Sequence, residues 1–304
     1  MKGGSAFQKV IIIGYGKITG EIITYVIEKQ KEYDYQLRVI EHEVHSFSIT
    51  EKICAEHGIP FARIEDKKEL AAYFDRFTER TLIISASNNF LFPKKLVEKE
   101  NITIINFHNA LLPAYPGRNA PSWVIFMGEK ETGITWHYVT AGVDEGNIII
   151  QKRCEIGADR KAYELTEQLM ALAYEAFAEC FEAVLKGQAE TEEQRLDAGR
   201  RMYRSYEVPA DGFFEIKEKP EYIYRLLRSL DYGKNDIFPP AQTVIDGKRA
   251  EILRYRKIVD RKPEEAEDRK PEQMAGESRR AGEGFLYLPL SGEFQLKMKY
   301  RLIQ

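Results

Sequence analysis

Short apolar runs rich in β-branched residues alternate with helical patterns along the first half of the chain. Each run is apolar at successive positions, which is typical of a strand buried on both faces of a sheet. The runs are Val10–Ile13, Leu37–Ile40, Thr81–Ser85 and Thr103–Ile105. Strands that alternate with helices form parallel sheets, so the sequence predicts an α/β fold with a doubly wound, mainly parallel, Rossmann-like sheet. Ligands of such sheets bind beyond the carboxyl ends of the strands.

A glycine-rich turn follows the first run. Gly14, Gly16 and Gly20 have the spacing G-x-G-x-x-x-G, which is one residue longer than the dinucleotide fingerprint. Glu41 follows the second run, where an acidic residue could bind a ribose. Because the glycine spacing is wrong for a nicotinamide site, we favour a tight turn between strand and helix, which glycine permits sterically.

The stretch Ile104–Pro121, with the sequence IINFHNALLPAYPGRNAP, carries the first candidate site residues. Asn106 and His108 are two residues apart at the end of a predicted strand, so their side chains share one face. An amide donor beside an imidazole suits a carbonyl that becomes an oxyanion. Taken alone, the pair is equally well explained as ordinary polar residues at a strand end.

Asp144 is the second candidate and lies on the glycine-flanked loop Ala141–Asn147. The loop joins two further predicted strands, Thr132–Val139 and Ile148–Gln151. Aspartate and glycine are ordinary turn formers, so Asp144 by itself would be interpreted as a turn residue. Its position between strands nevertheless predicts that it approaches the neighbouring strand ends.

Together, Asn106, His108 and Asp144 would make a site for attack on a carbonyl. His108 would exchange a proton or support the oxyanion, and Asn106 would donate to the developing charge. Asp144 would orient the imidazole or take the proton from the nucleophile. No serine or cysteine is placed to act as the nucleophile, so direct transfer to a substrate amine fits better than an acyl-enzyme.

Composition and charge limit the function classes. The net charge of −3 and the isoelectric point near 6.1 give no global attraction to nucleic acid or to an anionic membrane. Cys54, Cys154 and Cys180 are far apart and form no metal spacing. The apolar run near the N-terminus is too short for a signal peptide or a membrane span. We therefore expect a cytoplasmic protein without a metal site.

The pattern changes after Gly187. Residues 1–187 are predicted as one domain, residues 188–208 as a polar, charged linker and residues 209–304 as a small β-rich domain resembling a compact barrel. Asp246-Gly247 is a hairpin signal. Pro263–Glu283 is predicted as a mobile loop, because it is a run of charged residues, proline and glycine.

Two motif blocks resemble the 10-formyltetrahydrofolate-dependent formyltransferases, a family that includes methionyl-tRNA and amino-sugar enzymes. The first block is Asn106-x-His108-x-x-Leu111-Leu112-Pro113, followed by Pro116-Gly117 and Ala120-Pro121. The second is Thr132-Gly133-Ile134-Thr135 leading to Gly142-Val143-Asp144-x-Gly146-x-Ile148-Ile149. Both occur in the family's order, and the resemblance extends from about Gly14 to Gly187 and more weakly beyond.

The resemblance implies that residues 1–187 are the catalytic domain, with Asn106, His108 and Asp144 as the catalytic trio. It implies 10-formyltetrahydrofolate as the formyl donor. It also implies that a Leu-Leu-Pro corner lines the folate pocket, and the corner residues are Ala110, Leu111, Leu112 and Pro113. The sequence departs from the family pattern at Asn109-Ala110, where a serine is common, and at Tyr115-Pro116-Gly117, where Arg-Gly is common.

The acceptor amine is the open question. Trp136-His137-Tyr138 stands where small-molecule members commonly carry a histidine, and Glu41–Ser46 is acidic and short where methionyl-tRNA enzymes tend to have a basic loop. A tRNA-binding surface should be basic. The second domain nevertheless resembles one that tRNA enzymes use, and its clustered cations are Lys248, Arg249, Arg254, Arg256 and Lys257.

We therefore expect a small acceptor such as a nucleotide-linked amino sugar, with methionyl-tRNA as the alternative. Two further alternatives stay open. One is a non-catalytic folate- or nucleotide-binding protein on the same scaffold, and the other is a hydrolase that releases formate from the same folate. The sequence does not fix the oligomeric state, and a homodimer stays open.

Overall fold

A computed structural model of the chain describes residues 2–42, 47–196, 201–259, 275–277, 282–292 and 294–303. The chain forms two compact units. The first unit contains Met1–Arg118, Glu131–Glu155 and Glu167–Tyr203, and the second contains Asn119–Lys130, Ile156–Thr166 and Arg204–Gln304. The chain therefore passes between the units several times.

A seven-stranded sheet forms the centre of the first unit. Its strands are β1 (Lys9–Gly14), β2 (Gln36–Glu41), β3 (Phe61–Arg63), β4 (Thr81–Ala86), β5 (Ile102–His108), β6 (Glu131–Tyr138) and β7 (Ile148–Glu155). The spatial order is β3-β2-β1-β4-β5-β6-β7. Strands β1 to β5 run parallel to one another, whereas β6 is antiparallel to both of its neighbours, β5 and β7. The prediction of a doubly wound, mainly parallel sheet is confirmed.

The central strands are buried on both faces, as their continuous apolar runs predict. All six residues of β1 and all six of β4 are buried. The helices are α1 (Gly16–Lys29), α2 (Ile49–His57), α3 (Lys67–Asp75), α4 (Lys94–Val97), α5 (Ala120–Met127), α6 (Ala162–Leu185) and α7 (Pro220–Leu230). Within the described ranges, no helix is both long and apolar enough to cross a membrane.

Local capping explains where α2 and α3 begin and end. The Ser48 side chain accepts a hydrogen bond from the Glu51 amide, 2.9 Å long, at the start of α2. Asp66 accepts bonds from two amides in the same way at the start of α3. Gly58 ends α2 in a left-handed conformation with φ 65°, which glycine adopts at low cost. Glycine followed by a proline two residues later, as in Gly58-Ile59-Pro60, is a typical signal for the end of a helix.

The glycine turn after β1 has a steric reason. Gly14 has φ 152°, and a Cβ at this position would lie 1.6 Å from the carbonyl oxygen of Ala86 at the end of β4. The Thr19 hydroxyl donates to the same oxygen, at 3.0 Å. Gly14 therefore lets β1 approach the end of β4 closely, in agreement with the tight turn favoured from the sequence.

The second unit contains a five-stranded antiparallel sheet with the helices α5 and α7. The strands are β8 (Gln242–Ile245), β9 (Lys248–Val259), β10 (Ala275–Glu277), β11 (Glu283–Pro289) and β12 (Phe294–Leu302), in the order β10-β11-β12-β9-β8. Asp246 and Gly247 form the predicted hairpin, with φ 49° and 75°, as a type I′ turn requires. The β-rich second domain is confirmed as an antiparallel sheet.

The core of the second unit joins its sheet to its helices. The buried residues of this core are Phe214, Ile223, Leu226, Leu227, Ala241, Ile245, Ala250, Ile252, Leu286, Leu288, Leu290, Leu296 and Met298. Phe126 of α5 packs against Tyr222 of α7, with ring centroids 5.5 Å apart. This packing assigns Asn119–Lys130 to the second unit, although the sequence placed it within the domain of residues 1–187. The domain boundaries themselves stay a prediction.

Two predicted segments fall mainly outside the described residues. Pro263–Glu283 was predicted as a mobile loop, and of it only β10, Gly282 and the first residue of β11 are described. Of the acidic stretch Glu41–Ser46, only Glu41 and His42 are described.

We predict that Gly14→Ala destabilises the first unit severely. The added Cβ meets backbone of β4, which cannot move without disturbing the central strands, so we expect a loss of at least about 3 kcal/mol in the free energy of unfolding. Urea denaturation followed by circular dichroism measures this loss.

Gly16→Ala is the matched control. Gly16 also has a positive φ, 81°, but no atom lies within 4 Å of its Cβ position. Gly16→Ala should therefore lower the free energy of unfolding only through backbone strain, by about 1–2 kcal/mol. Equal losses in the two variants would contradict the steric role of Gly14.

Candidate functional site

The structure brings His108 and Asp144 together at the end of β5. His108 is the last residue of this strand and is 4% exposed. Asp144 lies in the loop between β6 and β7 with φ 53°, in the left-handed region that aspartate tolerates better than most residues. His108 Nδ1 and Asp144 Oδ2 are 3.5 Å apart. The predicted proximity of this pair is therefore present in the fold.

The other ring nitrogen of His108 fixes the orientation of the imidazole. Nε2 donates to the carbonyl oxygen of Tyr115, at 2.8 Å. A carbonyl oxygen can only accept, so Nε2 carries a hydrogen. Nδ1 is therefore the nitrogen that faces the Asp144 carboxylate. A hydrogen on Nδ1 would be stabilised by the negative charge, so this arrangement can hold a proton between the two groups.

His137 connects Asn106 to Asp144. It lies directly opposite Asn106 in the antiparallel pair of β5 and β6 and is 2% exposed. Its Nδ1 donates to the Tyr138 carbonyl at 2.9 Å, and its Nε2 lies 3.3 Å from Asn106 Nδ2. The same Nε2 is 3.5 Å from Asp144 Oδ1. The site is therefore a group of four side chains and not the predicted trio alone.

Ser85 at the end of β4 fixes the amide of Asn106. Its hydroxyl donates to Asn106 Oδ1 at 2.8 Å, so the amide nitrogen must point the other way. Besides its contact with His137, this nitrogen donates to the Phe107 carbonyl at 3.2 Å. Both nitrogen contacts are long and therefore weak, so either could be exchanged for a stronger contact with a negatively charged oxygen.

Asp144 is charged in this environment. Burial raises the pKa of its carboxyl group, but the nearby imidazoles of His108 and His137 and a hydrogen bond from the Gly117 amide lower it more. The Gly117 bond is 2.7 Å long. The net effect holds the pKa of Asp144 well below its usual range, so the group is a carboxylate at neutral pH.

The Leu-Leu-Pro corner is held by polar contacts behind it. The Thr135 hydroxyl donates to the Ala110 carbonyl at 2.7 Å and accepts from the Leu112 amide at 3.0 Å. The Gln151 side chain donates to the Leu112 carbonyl at 2.8 Å. Ala110 and Leu112 are buried, whereas Leu111 and Pro113 are half-buried. The corner therefore presents a fixed, partly exposed apolar surface beside His108.

The segment predicted as a linker contacts the site loops. Gln194 is 7% exposed, and its side-chain nitrogen donates to the carbonyls of Asp144, at 3.1 Å, and Gly146, at 2.7 Å. Tyr203 exchanges backbone bonds with the loop before α5, donating to Pro116 and accepting from Arg118. Residues 188–208 therefore include contacts that hold the Asp144 loop in place.

Two of the cysteines are unsuited to nucleophilic chemistry. Burial, as the largest cause, raises the pKa of Cys54 and of Cys180 to about 12, so both are protonated at neutral pH. Among the described residues, no group of three or more potential ligands could hold a metal ion. The polar side chains around Asp144 are thus the strongest candidates for chemistry in the first unit.

Sequence reasoning missed the structural roles of Ser85, His137 and Gln194. His137 was noted only as a hint about the acceptor, and Gln194 was part of the predicted linker. The pairing of Asn106 with His137 depends on β6 running antiparallel beside β5, which no local pattern indicates. Gln194 carries no local signal, because a single glutamine in a charged segment is normally exposed.

Comparison with known proteins gives a consistent result. A model of the formyl transferase family matches residues 2–181. The chain is 29% identical to methionyl-tRNA formyltransferase of Geobacter metallireducens over 204 residues, which cover 66% of this chain and 63% of that protein. It is also 29% identical to GDP-perosamine N-formyltransferase of Brucella melitensis over 248 residues, which cover 79% of this chain and 90% of that protein. The chain thus spans less than two thirds of the first relative.

Solved structures share the fold. A sugar 3N-formyl transferase, WlaRD, solved in the presence of dTDP and 5-N-formyl-THF, has a TM-score of 0.68 and 15% identity over 97% of this chain and 98% of that chain. An N-formyltransferase from Helicobacter canadensis, in complex with folinic acid and dTDP-3-aminofucose, has a TM-score of 0.67 and 15% identity over 96% and 98%. The family match covers more than half of the 304 residues and confirms the resemblance seen in the two motif blocks: this chain belongs to the formyl transferase family.

Proposed function

We propose that the protein transfers the formyl group of 10-formyltetrahydrofolate to a primary amine, and that the acceptor is a nucleotide-linked amino sugar. The observation that carries the proposal is that His108 and His137 both face the charged Asp144 carboxylate and that the Asn106 amide contacts His137. This group combines an amide donor, an oriented imidazole and a fixed negative charge. These are the parts that attack on a formyl carbonyl requires.

The residues beside the site fit a folate. 10-Formyltetrahydrofolate supplies a formyl carbonyl attached to nitrogen. The rigid apolar corner of Ala110, Leu111, Leu112 and Pro113 would hold the folate, because its backbone is fixed by Thr135 and Gln151. Its half-buried side chains leave apolar surface for an aromatic ligand. This assignment agrees with the folate compounds bound to the two structural neighbours.

The low pKa of Asp144 favours one of its two candidate roles. A general base works best when its pKa lies near the operating pH, and the pKa of Asp144 is held well below the usual aspartate range. Asp144 is therefore a weak base, and its role is to orient His108 and to stabilise the cationic imidazole. Any proton that His108 exchanges passes through Nδ1, the nitrogen that faces Asp144, because Nε2 is held at the Tyr115 carbonyl.

Asn106 supplies the donor for the developing negative charge. Its amide is turned by Ser85, so that Nδ2 and not Oδ1 faces His137. An oxyanion would accept a stronger hydrogen bond from Nδ2 than the two long contacts it makes in this structure. The amide is thus oriented before the reaction, which is the condition for electrostatic stabilisation of a transition state.

The acceptor preference rests on the second unit and on the relatives. Arg254 and Arg256 are exposed on one face of β9, whereas Lys257 points to the opposite face and pairs with Asp159 at 3.1 Å. The clustered cations of the sequence are thus divided between two faces, which weakens the case for a tRNA-binding surface. Of the two relatives compared, the GDP-perosamine enzyme is matched over more of its length. Methionyl-tRNA stays the alternative acceptor, and a homodimer stays a prediction.

Substitution of the three catalytic candidates should remove transfer without unfolding the protein. We expect His108→Ala to lower kcat by about 10²–10⁴-fold, the usual contribution of an acid–base group. Asp144→Asn should have a similar effect through the imidazole, and Asn106→Ala should cost about 10²–10³-fold through the lost oxyanion donor. The measurement is formyl transfer from 10-formyltetrahydrofolate to an amino-sugar nucleotide.

His57→Ala is the matched control, because His57 is an exposed histidine at the end of α2. It should leave kcat unchanged. Formate release without an acceptor should be measured in parallel, because release as fast as transfer would favour the hydrolase alternative. Near-normal transfer by His108→Ala would show that the assigned roles are wrong.

Gln194 is predicted to act as a positioning residue. Gln194→Glu keeps the size of the side chain but replaces its N–H donors with oxygens that face two carbonyls. The Asp144 loop should shift, and we expect kcat to fall by at least about tenfold, since small displacements of catalytic groups are costly. The KM for the folate should change little, because Gln194 does not contact the corner. Gln188→Glu is the matched control, because it adds the same charge at an exposed position, and it should leave kcat unchanged. If Gln194→Glu lowers the free energy of unfolding but leaves kcat unchanged, Gln194 has only a structural role.

An acceptor panel tests the second half of the proposal. The wild-type protein is assayed with 10-formyltetrahydrofolate and either GDP- and dTDP-linked amino sugars or methionyl-tRNA. We expect kcat/KM for at least one amino-sugar nucleotide to exceed that for methionyl-tRNA by at least about 100-fold, because a site built to hydrogen-bond one substrate discriminates strongly against another that leaves its polar groups unpaired. If methionyl-tRNA is formylated rapidly and none of the amino-sugar nucleotides is formylated, the acceptor assignment is reversed, but the formyl transfer proposal stays intact.

A further inference from the structure

We propose that the second unit contains a separate binding site for a small oxyanion, a phosphate group that is either free or carried by a metabolite no larger than a phosphosugar. The site is a cavity of about 290 Å³. Its charged lining includes Arg225 and Arg228 of α7 and Lys257 of β9, and all of its lining residues belong to the second unit. None of them takes part in the site around Asp144.

Arg228 is the strongest indication of a ligand. The residue is only 6% exposed, and the one hydrogen bond that its side chain makes within the described ranges runs from Nη1 to the Arg160 carbonyl, at 2.8 Å. Its Nε is buried without a hydrogen-bond partner. The guanidinium lies 5.0 Å from the centre of the Tyr224 ring, and within the described part of the chain no carboxylate forms an ion pair with it. Asp159 attracts this charge but forms no ion pair with it among the described residues, and a buried charge that lacks an ion pair is costly, so a bound anion would stabilise this arrangement.

Arg225 supplies a second unpaired guanidinium on the same side of α7. It precedes Arg228 by three residues, so the two side chains are neighbours on the helix surface. Its Nε is also buried without a partner, and among the described residues it forms no ion pair. Gly128, at the end of α5, leaves room for it, because a Cβ there would lie 3.5 Å from Arg225 Cδ. Two adjacent guanidinium groups match the oxygens of a phosphate group.

The other charges around the cavity limit what it can bind. Lys257 is paired with Asp159, with Nζ 3.1 Å from each carboxylate oxygen. The Glu221 carboxylate accepts from the Ser291 amide at 2.9 Å. The lining contains three carboxylates, Glu129, Asp159 and Glu221, and four cations, the two arginines together with Lys130 and Lys257. A net charge near +1 suits a single small anion and would not attract a polyanion such as RNA.

The size of the cavity narrows the ligand class further. A volume of about 290 Å³ is at the lower end of the range of small-molecule sites, roughly 300–1,000 Å³. A phosphate group with one sugar ring fits such a volume, whereas a whole nucleotide sugar does not. The Tyr224 ring beside Arg228 offers an apolar surface for the sugar. Burial and the nearby Asp159 raise the pKa of Tyr224 to about 12, so the side chain is uncharged at neutral pH and does not repel an anion.

Isothermal titration calorimetry on the full-length protein tests the site. The probes are sodium phosphate, glucose 1-phosphate and glucose at constant ionic strength. We expect saturable binding of at least one of the two phosphate probes and none of glucose. Equal affinity for both phosphate probes would identify a site for phosphate itself, and tighter binding of glucose 1-phosphate would identify a phosphorylated metabolite. No saturable binding of either probe by the wild-type protein would overturn the proposal.

Variants locate the binding. Arg225→Gln should weaken phosphate binding by at least about tenfold, since charged hydrogen bonds are lost, and Arg225→Lys should bind with an intermediate affinity. Arg254→Gln removes the same charge from an exposed position on β9 outside the cavity and should bind within about twofold of wild type. Equal weakening in Arg225→Gln and Arg254→Gln would overturn the proposal, as would unchanged binding in Arg225→Gln.

A thermal measurement covers the case in which Arg225→Gln is less stable. A ligand that binds only the folded state raises Tm as its concentration rises, so phosphate should raise the Tm of wild type and of Arg254→Gln but not that of Arg225→Gln. A phosphate-dependent rise in all three proteins would count against the cavity. None of these readouts uses formyl transfer, so the result is independent of the function proposed for the first unit.

Discussion

The carboxylate of Asp144 is charged although its side chain is only 10% exposed. Removing such a charge from water costs several kcal/mol unless nearby groups compensate for it. Compensation comes from His108 and His137 on two neighbouring strands and from the Gly117 amide on a third segment. The site therefore exists only when these segments meet at the end of β5.

The same carboxylate explains why segments beyond the sheet are needed. Asp144 sits in a left-handed backbone conformation on a short loop, and a loop of this kind has few restraints of its own. Gln194 restrains the loop by donating hydrogen bonds to two of its carbonyl oxygens. The backbone of Tyr203 in turn holds the loop that contributes Gly117. A stretch that reads as a charged linker thus contributes directly to the geometry of the site. The second unit, in contrast, has its own core and its own charged cavity.

Much of the secondary structure, and the family, could be predicted from the sequence because their signals are local. The apolar run Val10–Ile13 identifies a strand buried on both faces, Gly58 marks the end of a helix and Asp246-Gly247 marks a hairpin. The two motif blocks predicted the family, which is confirmed. The packing of α5 with the second unit could not be predicted, because α5 is almost uniformly apolar and its sequence does not indicate which core it joins.

The sequence by itself determined the strand and helix pattern, the family and the identity of Asn106, His108 and Asp144 as candidates, since each depends on residues close together in the chain. Only the tertiary structure decided that His137 faces Asn106, that Ser85 turns its amide and that Gln194 holds the Asp144 loop. Those contacts depend on strand order and on the antiparallel direction of β6. Strand order is set by packing between distant segments, and packing of this kind leaves no periodic trace in the sequence.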